Sequence, residues 1–284
     1  MAALFTRLLK NEGITDFAAM SLSHCKILKP YLLERHGLST DATAIFLILP
    51  YHNGVVPENL SVYASVQDYH AYFTGLYERL TGAVSQAYPD YRFFGFTDHS
   101  PVDEVHGAAI TGLGMIGDNG LLIHPRYSSF VYVAELVTDA PPALLGLIAA
   151  EPRPVQACLH CGACARACPS GCIGEGGTKK ECMSAVTQKK GEFTEAEAAS
   201  VLALGSAWGC DVCQNVCPYT KKALESGSIR TTIPYFMENT VSRLTKDFVE
   251  GLSDSEFAAR PFAWRGKAPI IRNLDLLERK KYDF

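Results

Sequence analysis

Cys158-Leu-His-Cys161-Gly-Ala-Cys164-Ala-Arg-Ala-Cys168-Pro169 spaces four thiols as C-x2-C-x2-C-x3-C-P. Where such a run binds paired [4Fe–4S] clusters, its first three cysteines hold one cube and the fourth crosses to the other. Cys210-Asp-Val-Cys213-Gln-Asn-Val-Cys217-Pro218 is a second run, one cysteine short of the full pattern. By the crossing rule Cys158, Cys161, Cys164 and Cys217 ligate cluster 1, while Cys168, Cys210 and Cys213 ligate cluster 2. The missing ligand is Cys172 or Cys182. Cys182 is favoured because it opens a fresh segment, whereas Cys172 stands where a small residue packs against such clusters. Paired C-x2-C runs also bind zinc, but interleaved runs with two Cys-Pro ends fit iron–sulfur better.

Nine of the ten cysteines lie between Cys158 and Cys217 in a chain of 284 residues. A disulfide scaffold belongs to oxidising compartments and small chains with little core; a 48% hydrophobic chain of this length has ample core. No apolar run approaches the roughly 18 residues that span a bilayer; the longest are Ala44–Pro50 and Leu144–Ala150. The opening MAALFTRLLKNEG lacks a signal-peptide pattern and a twin arginine. A cytoplasmic protein with no membrane contact is expected. A net charge of −4 excludes bulk electrostatic binding to nucleic acid.

An α+β organisation is expected. Residues 1–150 read as an α/β domain, with an opening helix carrying Leu4, Leu8 and Leu9 to a stop at Gly13. Ala44–Leu49, Tyr91–Phe96 and Ser129–Val137 are strands by their apolar, β-branched and aromatic content, and a long helix covers about Ser61–Tyr88. An exit linker runs through Ala140–Pro142 and Glu151–Pro154. Residues 151–225 form the cluster domain, in which Thr194–Glu197 is a capping box and Gly205 ends the helix. Residues 226–284 form a helical tail with a second capping box at Ser253–Glu256. Its end is basic, with Arg260, Arg265, Lys267, Arg272, Arg279, Lys280 and Lys281, which suits either a solvated face or a polyanion contact.

Two motifs mislead. Gly112-Leu-Gly114-Met-Ile-Gly117 matches G-x-G-x-x-G, but a dinucleotide site needs a strand before it. Here a helix precedes it, with Ser100 as N-cap, Pro101 at N1 and Gly112 as its stop. Asp68-Tyr69-His70 approaches the corrinoid motif Asp-x-His-x-x-Gly, but position 73 is Phe, so His70 is read as a core or capping histidine.

Together, FTDHSPVDE (Phe96–Glu104), GLGMIGDNGLLIHP (Gly112–Pro125), the first cysteine run, the lone Cys182 and GCDVCQNVCP resemble the cobalamin-dependent epoxyqueuosine reductase family, itself related to the reductive dehalogenases. DYH at Asp68–His70, SSFVYVAELVTD at Ser128–Asp139 and EFAARPFAWRGKAPIIRN at Glu256–Asn273 fall in the expected order. The resemblance implies a nitroreductase-like α/β corrinoid-binding domain followed by a ferredoxin-like double-cluster domain. It implies base-off cobalamin, reduced through the clusters by a low-potential donor of ferredoxin or flavodoxin type, and an epoxide reduced to an alkene in queuosine tRNA modification. Asp98 matches the family's proton donor. Gly117, Asn119, Leu122, His124, Val133 and Val212 fall at corrin contacts, and the family's last cluster ligand matches Cys182, its counterpart of Cys172 being small.

Such chemistry needs a strong one-electron donor, which cysteine-bound clusters supply, and a carboxylic acid kept protonated beside the reacting atom. His99 is the neighbouring competitor; in an extended segment it would face away from Asp98. Asp118 and Met115 replace the family's usual Lys and Trp. The chain stops at Phe284, where the family's tRNA-gripping helical repeats would begin, so weak tRNA binding is expected. Two rival readings are a non-catalytic two-cluster electron carrier and a protein that reduces corrinoids for delivery.

Overall fold

The computed structural model describes residues 4–279, which leaves Lys280 and Lys281 of the basic tail outside the described residues. The chain forms two compact units. One contains the residues up to Pro50 with His70–Leu159; the other contains Tyr51–Tyr69 with the residues from His160 onward.

In the first unit, α1 (Leu4–Asn11) buries Phe5 and Leu9 and ends at Gly13, whose φ of 74° the stop requires. Strands β1 (Phe17–Ser21), β2 (Thr43–Pro50), β3 (Phe93–Phe96) and β6 (Val131–Thr138) form an antiparallel sheet in the order β1-β2-β6-β3. A hairpin of β4 (Met115–Ile116) and β5 (Leu122–Ile123) stands apart from the sheet. The apolar runs expected to be strands are strands because neither face of β2 meets water: all eight of its residues are buried. Ala44, Phe46 and Ile48 share one face, packed with Met20, Val102, Ala108 and Val137. Helix α2 (Pro30–Arg35) adds Leu32 and Leu33 to that core.

The helix expected over 61–88 is two helices, α3 (Val62–Ser65) and α4 (Tyr69–Ala87), divided where Val66 turns extended and is fully buried. The helix after it, α5 (Glu104–Ile110), is capped by Asp103, not Ser100: the Asp103 carboxylate accepts from the His106 N–H. Ser100 is drawn away because its hydroxyl donates to Glu135. Gly112, with φ 87°, follows the helix end as expected. A helix before and a two-residue strand within the G-x-G-x-x-G stretch remove the dinucleotide site.

In the second unit, α6 (Ala163–Ala167) packs on α9 (Val212–Asn215), which joins the two cysteine runs. Helices α7 (Met183–Thr187) and α8 (Glu195–Leu204) pack together around Met183, Val186 and Val201. Helix α10 (Pro218–Glu225) follows the second run. Helices α11 (Lys246–Gly251), α12 (Asp254–Ala258) and α13 (Lys267–Arg279) complete the unit. Both expected capping boxes form, and Gly205 ends α8 with φ 71°.

The division at 150 and 225 differs from these units. Tyr51–Tyr69 joins the second unit through specific bonds: the Ala207 N–H donates to Asn59 O at 2.7 Å, the Ser61 N–H to Trp208 O at 2.8 Å, and Trp208 Nε1 to Tyr63 Oη at 2.9 Å. Leu60 and Ala64 share a core with Trp208, Phe262 and Ile270, so residues after 225 are continuous with this unit. The stretch read as exit linker is bonded to the first unit instead, through Arg153 N–H to Ile110 O at 2.8 Å and Ile116 N–H to Gln156 O at 3.1 Å. Much of the basic end is structural. Arg272 stacks over Phe193 at 3.6 Å and donates to Lys189 O, while Lys267 donates to Leu252 O at 2.9 Å.

Candidate active site

Asp98 follows β3 by two residues and has φ 58°, a left-handed conformation that costs a side-chain-bearing residue energy. The His99 N–H donates to Thr97 O at 2.5 Å, closing a tight turn around it. That turn aims Asp98 at α4, where His70 Nε2 stands 3.1 Å from Asp98 Oδ2. His70 is therefore neither a core nor a capping histidine; its side chain is 49% exposed and that of Asp98 62%. The pair shares protons: an imidazolium steadies the carboxylate, and a neutral Nε2 accepts from the carboxylic acid. His99 faces other partners, Tyr31 Oη at 2.8 Å and Lys29 Nζ at 3.2 Å. The turn, rather than an extended backbone, separates the two neighbours.

Beneath the turn lie two carboxyls that the sequence reading missed. Glu135 on β6 is paired across the ladders with Phe46 and Phe96, so its side chain lies on their face and is 0% exposed. It accepts from Ser100 Oγ through Oε2. Glu104 opens α5. The buried Oε1 of each has no hydrogen-bond partner among the described residues. Burial pushes Glu135 up to about 7, against the lowering effect of Ser100. It pushes Glu104 to about 8, reinforced by Glu135 and Asp98 and opposed by Lys29. A charged residue alternating with apolar neighbours inside a strand was the available signal for Glu135.

The sign of the pH effect follows. Glu135 in the folded chain holds its proton to about 7, whereas the unfolded chain loses it near 4.5. Its contribution is thus fully present below 4.5 and is lost as pH rises to 7 and above. Glu135→Gln removes that dependence. Chemical denaturation should show the variant gaining on wild type by about 3 kcal/mol between pH 4 and pH 8; a constant difference would contradict a buried neutral acid.

Beyond Glu135 the sheet opens. Since β3 pairs with β6 only from Glu135 to Thr138, Val131–Ala134 carry no strand on that side. Val131 and Val133 are half-buried and pack on the same core as Ile116 of β4 and Leu122 of β5. Gly117 and Asn119 form the hairpin turn, where the Asn119 side chain accepts from the Leu121 N–H. His124 is buried and engaged: Nδ1 accepts from the Arg126 N–H at 3.3 Å, and Nε2 lies 3.5 Å from Asp16. Burial lowers its pKa despite Asp16. Gly117, Asn119, Leu122, His124 and Val133 belong to the first unit; Val212, at the start of α9, belongs to the second.

In the second unit Cys172 Sγ lies 3.6 Å from Cys168 Sγ, and Cys182 interacts electrostatically with both Cys172 and Cys210. Cys172 is thus in contact with Cys168, while Cys182 stands within electrostatic reach of Cys172 and Cys210. The two candidates for the last cluster 2 ligand differ in support. Cys182 caps α7, which Met183 and Val186 anchor in the core. Cys172 sits in a loop with positive φ at Gly171, Gly174 and Gly176.

Residues 157–220 match the family described as the 4Fe-4S double cluster binding domain. The epoxyqueuosine reductase of Lactococcus garvieae is 30% identical over 217 residues, which cover 73% of this chain and 58% of that protein. The Listeria monocytogenes enzyme is 31% identical over 209 residues, 72% and 53% of the two chains. The chain is related to the epoxyqueuosine reductases. Its matches span between half and about three-fifths of these relatives' own length. The fold agrees. The Streptococcus thermophilus epoxyqueuosine reductase superposes with a TM-score of 0.70 at 21% identity, covering 98% of this chain and 81% of that one. An epoxyqueuosine reductase solved with an epoxyqueuosine-modified tRNA-Tyr stem loop gives 0.74 at 21% identity, over 96% and 79%. Among the described residues no helix is long and apolar enough to cross a membrane.

Proposed function

We propose that this chain is an epoxide reductase of the epoxyqueuosine reductase type, with Asp98 as the proton donor. The carrying observation is the placement of Asp98: held by a left-handed turn two residues past the end of β3 and hydrogen-bonded to His70. In this reading the first unit is nitroreductase-like and the cluster module ferredoxin-like. The corrinoid-binding role falls to the unit of residues up to Pro50 with His70–Leu159, and the cluster role mainly to the unit of Tyr51–Tyr69 with the residues from His160 onward.

The residues fit a flat, largely apolar macrocycle. Val131 and Val133 offer a half-open apolar surface, and the Gly117 turn has no room for a side chain, since a Cβ there would meet Ile123 Cδ1 at 3.0 Å. Gly117, Asn119, Leu122, His124, Val133 and Val212 would hold base-off cobalamin, His124 by its backbone because its ring is engaged. Bound there, cobalamin would supply the low-potential electrons that reduction of an epoxide to an alkene requires. Cys158, Cys161, Cys164 and Cys217 hold one cluster; Cys168, Cys182, Cys210 and Cys213 hold the other, fed by a ferredoxin or flavodoxin type donor. Asp98 protonates the departing oxygen and His70 steadies the carboxylate left behind. The substrate is an epoxyqueuosine-type nucleoside in tRNA.

The test is anaerobic reconstitution with iron, sulfide and cobalamin, followed by mass spectrometry of an epoxyqueuosine-bearing anticodon stem loop incubated with a low-potential reductant. Loss of one oxygen from the modified base supports the reading. Full cluster and cobalamin loading without that loss would leave the carrier or corrinoid-delivery role and remove this one.

A further inference from the structure

We propose that Glu104 and Glu135 form a buried proton store that refills Asp98 between its proton transfers. The inference rests on Asp98 being the proton donor. Four observations carry it. Glu135 is completely buried with one oxygen unpartnered among the described residues, and Glu104 also has a buried unpartnered oxygen. Ser100, two residues after Asp98, ties that loop to Glu135 through its hydroxyl and accepts from the Val102 N–H at 3.0 Å. Glu104 opens α5 a few residues after Asp98, and its carboxyl interacts electrostatically with both Asp98 and Glu135. Glu104 as a whole is partly exposed, which gives it access to water.

The surroundings raise both acids toward neutrality, Glu104 to about 8 and Glu135 to about 7. The Glu104 carboxyl is influenced by the charges of Glu135 on β6, Asp98 on the β3 turn and Asp103 at its own helix cap, and in the opposite sense by Lys29. The Glu135 carboxyl accepts from Ser100 and interacts electrostatically with the buried thiol of Cys25, while its backbone N–H donates to the Tyr77 hydroxyl at 3.3 Å. Burial of a carboxyl without a paired cation favours the neutral form.

The balance closes on the proposed reaction. Converting an epoxide to an alkene takes up two electrons and two protons and releases one water. The electrons come from the reductant through the clusters. Asp98 gives a proton to the oxygen and becomes a carboxylate; Glu104 then passes its proton to Asp98 and becomes a carboxylate in turn. Glu135 refills Glu104, and a second transfer through Asp98 completes the water. Asp98 and Glu135 are then carboxylates, and two protons from solvent restore them by way of Glu104. Two of the three protons held by Asp98, Glu104 and Glu135 are consumed in each turnover.

Infrared titration of the full chain reads the store without turnover. Wild type should show protonated-carboxyl absorption at pH 6 that titrates with midpoints near 7 and 8, the first lost in Glu135→Gln and the second in Glu104→Gln. Asp98→Asn should lower the Glu104 midpoint, by removing the neighbouring negative charge, and leave that of Glu135 in place. Absence of these bands, or a Glu104 midpoint indifferent to Asp98→Asn, overturns the store. The same bands and coupling in a protein that leaves epoxyqueuosine untouched would sink the proposed reaction and keep the store. In an active enzyme, Glu104→Gln should lower kcat with KM unchanged and move the alkaline limb of the pH profile; an unchanged profile overturns the relay.

Discussion

Asp98→Asn should lower turnover of the reconstituted protein by roughly 10²–10⁴-fold, the usual worth of a positioned general acid. The amide keeps the size and polarity of the carboxyl and can still meet His70, 3.1 Å away in the native chain, but it has no proton to release. Asparagine also tolerates the left-handed conformation at φ 58°, so the turn itself should survive. Iron content and cobalamin binding should match wild type, because the carboxyl ligates neither metal in this mechanism. His99→Gln is the control. His99 is committed to Tyr31 and Lys29, so its loss should cost less than tenfold, well below the general-acid range. Near wild-type turnover by Asp98→Asn, with cobalamin bound, would remove Asp98 from the mechanism.

Cys182→Ser should cut iron from about eight to about four per chain after anaerobic reconstitution, as loss of one of two four-iron cubes demands. Cys172→Ser should leave it at about eight. Cys172 touches Cys168 and Cys182 reaches Cys172 and Cys210 electrostatically, so position alone does not separate them. Their supports do. A ligand must be held in place by its scaffold, and Cys182 is fixed by a helix rooted in the core while Cys172 rides a glycine-rich loop. If iron falls in Cys172→Ser and not in Cys182→Ser, the ligand assignment is reversed. A cluster signal halved in electron paramagnetic resonance, alongside the iron loss, distinguishes a missing cube from general misfolding.

What could be read from the sequence was local. The apolar runs around Ala44–Leu49 and Ser129–Val137 are strands, and Thr194–Glu197 and Ser253–Glu256 form capping boxes. Each depends on residues a few positions apart, where side-chain alternation and a hydroxyl's reach are set by the backbone. The cysteine spacing belongs with these: Cys158, Cys161 and Cys164 announce a cluster because three-residue steps gather thiols within one turn. Asp98 was reached through the likeness to a family, since an aspartate before a helix start is common.

The tertiary structure decided the rest, because its causes are distant along the chain. His70 meets Asp98 across 28 residues, and Ser100 leaves the cap position for Glu135, 35 residues on. Tyr51–Tyr69 leaves its sequence neighbours because the Asp211 carboxylate accepts from the Val62 N–H at 2.6 Å and Trp208 fills the core beside Leu60. Glu104 and Glu135 look like ordinary acids in the sequence. Burial is what raises them toward neutrality, Glu135 to about 7 and Glu104 to about 8, and burial is a property of the folded chain.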